Sequence, residues 1–285
     1  MIEECIAKSE ASGVTRCSPG RWPKNKKLSF EISRAEMAGE IAARMNYRSI
    51  ITLASLALAG CSRYPDASGH FIRTAFIADR LAGLMEMDRL TQDHIRLSTP
   101  VHDLGKLLIP DRVLLKPGKL TPAERSIMER HSGMGADLLS TSADPLHQFA
   151  AGIARHHHER FDGSGYPDRL AARRIPLAAR IVAVVDAFDA MTETRCYRPR
   201  MADEEARAII ASGSGSHFDP EVVEVFQEGF PDLLSARATA NELLSLGNDT
   251  AVIAGFYGLS RTDFRSAARL VTKVVATPLH FEALV

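Results

Sequence analysis

The sequence predicts an all-α protein. From about Ser33 onward, segment after segment is rich in alanine and leucine, with apolar residues at helical spacing. The interruptions fall at glycine and proline, the residues that end helices. No convincing run alternates apolar and polar positions as a half-buried strand would, and no segment repeats.

Residues 1–30 are polar, broken by Pro19, Gly20 and Pro23, and carry the basic run KNKK (24–27), which reads as a tail or adaptor. A helix is expected within 35–59, AEMAGEIAARMNYRSIITLASLALA, which has few breakers. HFIRTAFIADRLAGLM (70–85) places apolar residues at 71, 72, 75–78, 81, 82, 84 and 85, a helix with one broad apolar face. DHIRLSTPVHDLGKLLIP (93–110) begins as a helix and is stopped at Gly105 and Pro110. TPAERSIMERHSGMGADLL (121–139) opens on Thr121 and Glu124, spaced as a capping box, with Pro122 at the first helical position. DPLHQFAAGIARHHHER (144–160) is a helix ended by the glycines that follow. PLAARIVAVVDAFDAMTE (176–193) is apolar almost all round and is expected to be buried. DEEARAIIAS (203–212) and PEVVEVFQEGF (220–230) are shorter helices, and ANELLSL and RSAARLVTKVVA continue the pattern after Pro231. The aromatics Phe256, Tyr257 and Phe264 read as core rather than as a docking patch.

Lysine plus arginine number 35, as do aspartate plus glutamate, so the formal net charge is zero. That balance argues against bulk electrostatic binding of DNA or an anionic membrane. Cys5, Cys17, Cys61 and Cys196 form no CxxC pair, as expected of reduced thiols in a cytoplasmic protein. The opening MIEECIAKSE has no apolar core of a secretory signal. The apolar stretch 49–61 is shorter than the roughly 20 residues that a spanning helix needs. It is read as a buried helix, despite an LAGC ending that resembles a lipoprotein box.

Ligand-capable side chains collect near the helix ends: His70, His102 with Asp103, His131, and His157 with His158. Asp186 lies inside IVAVVDAFDA, where a charged carboxylate is costly to bury unless paired or metal-bound. Imidazole and carboxylate together suit first-row divalent metals such as iron, manganese and zinc. Neighbours on a regular helix point roughly 100° apart. An adjacent pair such as His102–Asp103 or His157–His158 is therefore expected to serve two neighbouring ions, with Asp103 bridging, rather than one. Taken singly, His70 or His131 would pass for an ordinary surface or core residue, as His94, His147, His217 and His280 are read here. Order and spacing shift that balance.

HDLGKLLIPDRVLLKPGKLTPAE (102–124), HHERFDGSGYP (157–167), IPLAARIVAVVDAFDAMTETRCYR (175–198) and HFDPEVVEVF (217–226) together resemble the HD-GYP family, a subset of the HD superfamily of metal-dependent phosphohydrolases. The likeness runs from about residue 50 to 230. It implies an HD-domain helical bundle with additional N- and C-terminal helices. The expected organisation is a tail and helix over 1–48, a catalytic domain over 49–230 and a helical extension over 231–285. By the same resemblance the metal ligands are His70, His102, Asp103, His131, His157, His158 and Asp186, with His156 a bystander. Asp66 stands where the family often has a glutamate that helps hold a third ion, so two ions are expected ahead of three. Lys106 would contact the scissile phosphate and Tyr166 would lie beside the substrate. Arg195 and Arg198 would hold phosphate, and Asp189 would either contact substrate or stand behind a ligand.

The resemblance implies a cyclic di-GMP phosphodiesterase, using iron or manganese and a hydroxide bridging the ions, that yields linear pGpG or GMP. Asp103 and Lys106 would be its catalytic residues. The competing expectation is a signalling module that binds the nucleotide, or a GGDEF-domain partner through the GYP loop, with little turnover. Residues 231–285 are open to three uses: packing on the core, forming a homodimer, or holding a partner.

Overall fold

The computed structural model describes residues 46–63, 67–193, 200–245, 247–260 and 264. Asp66, Arg195, Arg198, His280 and the expected tail and last helix lie outside them. Among the described residues the regular structure is helical, with one isolated bridge between Ser214 and Phe218.

Helix α1 (Tyr47–Cys61) starts where the Asn46 side chain accepts from the Arg48 amide. It buries Ile50, Leu53, Ala54, Ala57, Leu58 and Cys61, the i, i+3, i+4 stripe of an amphipathic helix. Helix α2 (Ala67–Leu84) is buried on nearly every side over its first turns. It packs against α3 (Arg89–Ser98), α7 (Leu177–Thr192) and α10 (Phe230–Leu244), which makes it the central helix. The apolar helix expected at 176–193 is α7, and it too is buried almost throughout. The core has two parts, one between α1, α2 and α11 (Asp249–Phe256), the other between α2, α7, α8 (Asp203–Ser212) and α9 (Pro220–Glu228). Phe256, Tyr257 and Phe264 are buried in the first part, and the Tyr257 hydroxyl donates to the Leu97 carbonyl at 2.9 Å. Residues 230–245 and 247–256 thus pack on the same core as the motifs.

Two details differ from the expected helices. The helix expected from Ala240 begins at Phe230, because Pro231 fits a first turn where no amide is needed. The segment expected to run from 220 to 230 ends at Glu228, at the flexible Gly229.

After α3 the chain tightens into two 3₁₀ turns, Thr99–Val101 and Leu104–Leu108, with Asp103 between them at φ −95°, ψ 12°. The short α4 (Asp111–Leu114) leads to α5 (Pro122–Ser140), which pairs with α6 (Pro145–His156). The expected capping box is present. Thr121 Oγ1 accepts from the Glu124 amide at 3.3 Å, and the Glu124 carboxylate accepts from the Thr121 amide at 2.8 Å. Thr121→Ala should cost about 1 kcal/mol of stability, a fall of roughly 2–4 °C in thermal unfolding. Metal uptake should be unchanged, since His131 lies further along the helix.

The turn after Asp103 crosses α5 at unusually close range. A Cβ on Gly105 would lie 1.9 Å from the His131 carbonyl oxygen and 2.6 Å from the Gly135 amide nitrogen. Backbone meets backbone there, and that contact draws α5, and with it His131, against Asp103.

Candidate metal centre

The seven expected ligands converge on one buried locus, from α2, the turn at 102–103, α5, the end of α6, and α7. His70, His102 and Asp103 form one group whose ligand atoms lie within 4.8 Å of one another; Asp103, His131, His157 and His158 form a second. Asp186 joins the first group, with Oδ1 3.3 Å from His70 Nε2 and 3.9 Å from His102 Nε2. Asp103 is common to both groups.

The adjacency argument fails in its detail. His102 Nε2 lies 3.5 Å from its neighbour's Oδ2, and the rings of His157 and His158 are 4.0 Å apart. Neither pair sits in a regular helix. Asp103 links two 3₁₀ turns, and α6 ends at His156, leaving His157 as its cap. The 100° separation therefore does not apply. The indication of two ion positions comes instead from two groups that share one carboxylate.

Three of the rings are oriented alike. His102 Nδ1 donates to the Thr99 carbonyl at 2.7 Å, His131 Nδ1 to the Met128 carbonyl at 2.7 Å, and His157 Nδ1 to the Ala154 carbonyl at 2.9 Å. In each case the acceptor is three residues earlier. With the proton on Nδ1, every Nε2 presents a bare lone pair to the centre. His131 Nε2 and His157 Nε2 face each other at 3.5 Å, and Asp103 Oδ1 lies 3.2 Å and 3.7 Å from them. His102 Nε2 and Asp103 Oδ1 are buried and accept no hydrogen bond among the described residues. Converging lone pairs without a proton between them are what a cation satisfies, so these residues fit a divalent metal.

The protonation states agree. Burial lowers His102 to about 4 and holds His131 below its ordinary value. Burial, aided by His157 and His131, drives His158 well below. Burial works against the Asp103 carboxylate, but Lys106 and His102 outweigh it and hold the group well below the usual range. Burial is likewise overcome at Asp186, lowered by its contact with His70. His70 is the exception. Burial would depress it, but Asp186 and Asp189 raise it to about 9.

At the rim, the Lys106 ammonium is hydrogen-bonded to Asp103 Oδ2 and is partly exposed. The half-buried Tyr166 ring lies 5.0 Å from His158 and 6.4 Å from His131. Gly163 takes a φ of +81°, which glycine tolerates, and a Cβ on Gly165 would strike the backbone of Glu159 and Arg160. Both glycines let the loop fold back tightly. His156 is outside both metal groups and lies 3.1 Å from Asp168 of the same loop. Asp189 is not at the rim. It is 1% exposed, and its oxygens are taken by His70 and Arg73, which removes it from the substrate contacts. Sequence reasoning missed Arg73, whose only signal is a charge one turn beyond His70 in an apolar helix, and Glu159. The latter is buried and accepts from the Asp168 and Leu170 amides at 2.7 and 3.1 Å, pinning the loop.

The family profile of the HD domain matches residues 49–222. The chain belongs to the HD domain family. The HD-GYP resemblance is in line with relatives named as cyclic dinucleotide phosphodiesterases. The chain is 48% identical over 157 residues to a cyclic di-GMP phosphodiesterase of Thermotoga maritima, covering 55% of this chain and 43% of that protein. It is 40% identical over 185 residues to the 3'3'-cGAMP-specific phosphodiesterase 2 of Vibrio cholerae, covering 65% and 35%. A probable cyclic di-GMP phosphodiesterase of V. cholerae matches at 40% over 227 residues, 74% and 50%. This chain thus spans between about a third and a half of these relatives' lengths. The crystal structure of a V. cholerae cyclic GMP-AMP phosphodiesterase shares the fold, with a TM-score of 0.53 at 17% identity, over 81% of this chain and 60% of that one. No helix among the described residues of this HD domain is long and apolar enough to cross a membrane.

Proposed function

We propose that this HD domain protein hydrolyses a cyclic dinucleotide, cyclic di-GMP first among them, at a centre of two divalent ions. The observation that carries the reading is Asp103, common to two groups of converging imidazoles. One ion would be held by His70, His102, Asp103 and Asp186, the other by Asp103, His131, His157 and His158. Such a pair, when bound, acidifies water and offsets the charge that builds on the phosphate oxygens. Imidazole with carboxylate suits iron or manganese.

The protein's own groups do the rest. Asp103 and Lys106 are the catalytic pair, the Lys106 ammonium turning on its long stem from the carboxylate to a phosphate at the rim. Tyr166 lines the wall where a base would sit, held there by the Glu159-pinned loop. Arg195 and Arg198 would take the second phosphate, and Asp66 a third ion; the same loop is where a GGDEF-domain partner would dock. The names of the relatives support the substrate class, and the neutral overall charge fits a positive field confined to the pocket.

The test is turnover by the purified chain loaded with Mn²⁺ or Fe²⁺, presented separately with cyclic di-GMP, 3'3'-cGAMP and cyclic di-AMP. Cyclic di-GMP should be opened to pGpG or GMP, chelation should stop it, and added metal should restore it. Metal-replete protein that leaves all three substrates intact would refute the reading.

A further inference from the structure

His70 lacks what orients His102, His131 and His157. It lies in the first turn of α2, three residues after Ala67, and its Nδ1 takes no carbonyl of its own turn. Its own carbonyl also accepts the Thr74 hydroxyl at 2.7 Å. Its Nδ1 instead meets Asp189 Oδ2 at 2.8 Å, a residue 119 positions away on α7. A carboxylate so deeply buried is costly without partners. Arg73, one turn along from His70, supplies them: Nε donates to Oδ1 at 2.6 Å and Nη2 to Oδ2 at 3.1 Å. Arg73 is itself buried.

We propose that Asp189, clamped by Arg73, is the positioning residue that makes His70 a ligand, by holding one ring proton on Nδ1 so that Nε2, which faces Asp186 and His102, is the nitrogen given over to the metal. This rests on the metal-centre reading above and extends it. His70 depends on a tertiary carboxylate–arginine relay, whereas His102, His131 and His157 take their orientation from local carbonyls. The reason is directional. Arg73 donates to both oxygens, through Nε at 2.6 Å and Nη2 at 3.1 Å, so in Asp189→Asn the amide oxygen keeps the shorter Nε contact and the amide NH₂ turns toward Nη2 and His70. A donor there demands an unprotonated Nδ1. The proton then moves to Nε2 and blocks the ligand position, in a side chain of unchanged shape.

The test is a Mn²⁺ titration of the full chain, by calorimetry and native mass spectrometry, on the parent, Asp189→Asn, His70→Ala and the double variant. Asp189→Asn should weaken one of the two ions by about 10–100-fold, leave the other, and add nothing in the His70→Ala background. That non-additivity is something a merely structural role would not produce. Arg73→Lys keeps the charge without the fork and should show a smaller loss with the same dependence on His70. It also serves if Asp189→Asn does not fold. An undiminished affinity in both variants, or an equal loss with and without His70, overturns the relay. A parent that takes up no Mn²⁺ refutes the metal-centre reading itself, and the relay with it.

Discussion

Replacing Asp103 with asparagine is expected to reduce the proposed hydrolysis of cyclic di-GMP by about a thousandfold or more. The change is isosteric, so the turn between the two 3₁₀ segments has no steric reason to move. What it removes is the one carboxylate that both ligand groups share. The three imidazoles of the second group would then face a neutral amide, and that group would hold no anionic ligand. Metal catalysis of this kind supplies several kcal/mol, and about 4 kcal/mol corresponds to about a thousandfold in rate. Lys106 would lose its carboxylate partner as well. Metal content should fall with activity, while far-UV circular dichroism of the metal-free protein stays that of the parent. Retention of both ions and of normal turnover would contradict the bridging role.

Gly105→Ala should be nearly as damaging, by a different route. The added methyl would meet three backbone atoms, with the His131 carbonyl oxygen at 1.9 Å, the Gly135 amide nitrogen at 2.6 Å and the His131 carbonyl carbon at 2.7 Å. None of these can rotate away as a side chain could. Helix α5 or the 3₁₀ turn must shift, and overpacking of this sort costs about 3 kcal/mol or more. For a domain of this size that is a fall of roughly 6–12 °C in the unfolding midpoint. The same shift separates His131 Nε2 from Asp103 Oδ1, now 3.2 Å apart. A misplacement of about 1 Å in such a centre costs about a hundredfold in rate. Thermal unfolding and Mn²⁺ binding should therefore both fail in this variant, whereas Thr121→Ala, on the same helix, affects only the first.

Much of this was legible in the sequence. Helical spacing predicted the principal helices, and Thr121 with Glu124 fixed the start of α5. The carboxylate of Asp186, stranded in an apolar helix, pointed to the centre it now borders. Other parts had no sequence signal. The close crossing of Gly105 on α5 depends on which helix lies opposite, and a glycine after HD reads equally well as a simple stop. Asp189 and Arg73 look like two unrelated charges until α2 and α7 pack together. The adjacent pairs were misjudged because residues 99–108 and 157 onward leave α-helical geometry, and nothing in their composition marks the change.

The three carbonyls at Thr99, Met128 and Ala154 have one further consequence. Each belongs to the same turn as the ring it orients, so tilting a whole helix carries donor and acceptor along together. For those three rings, aim is settled locally and only range depends on the rest of the molecule. Damage elsewhere in the fold would therefore leave them pointing true but standing too far apart.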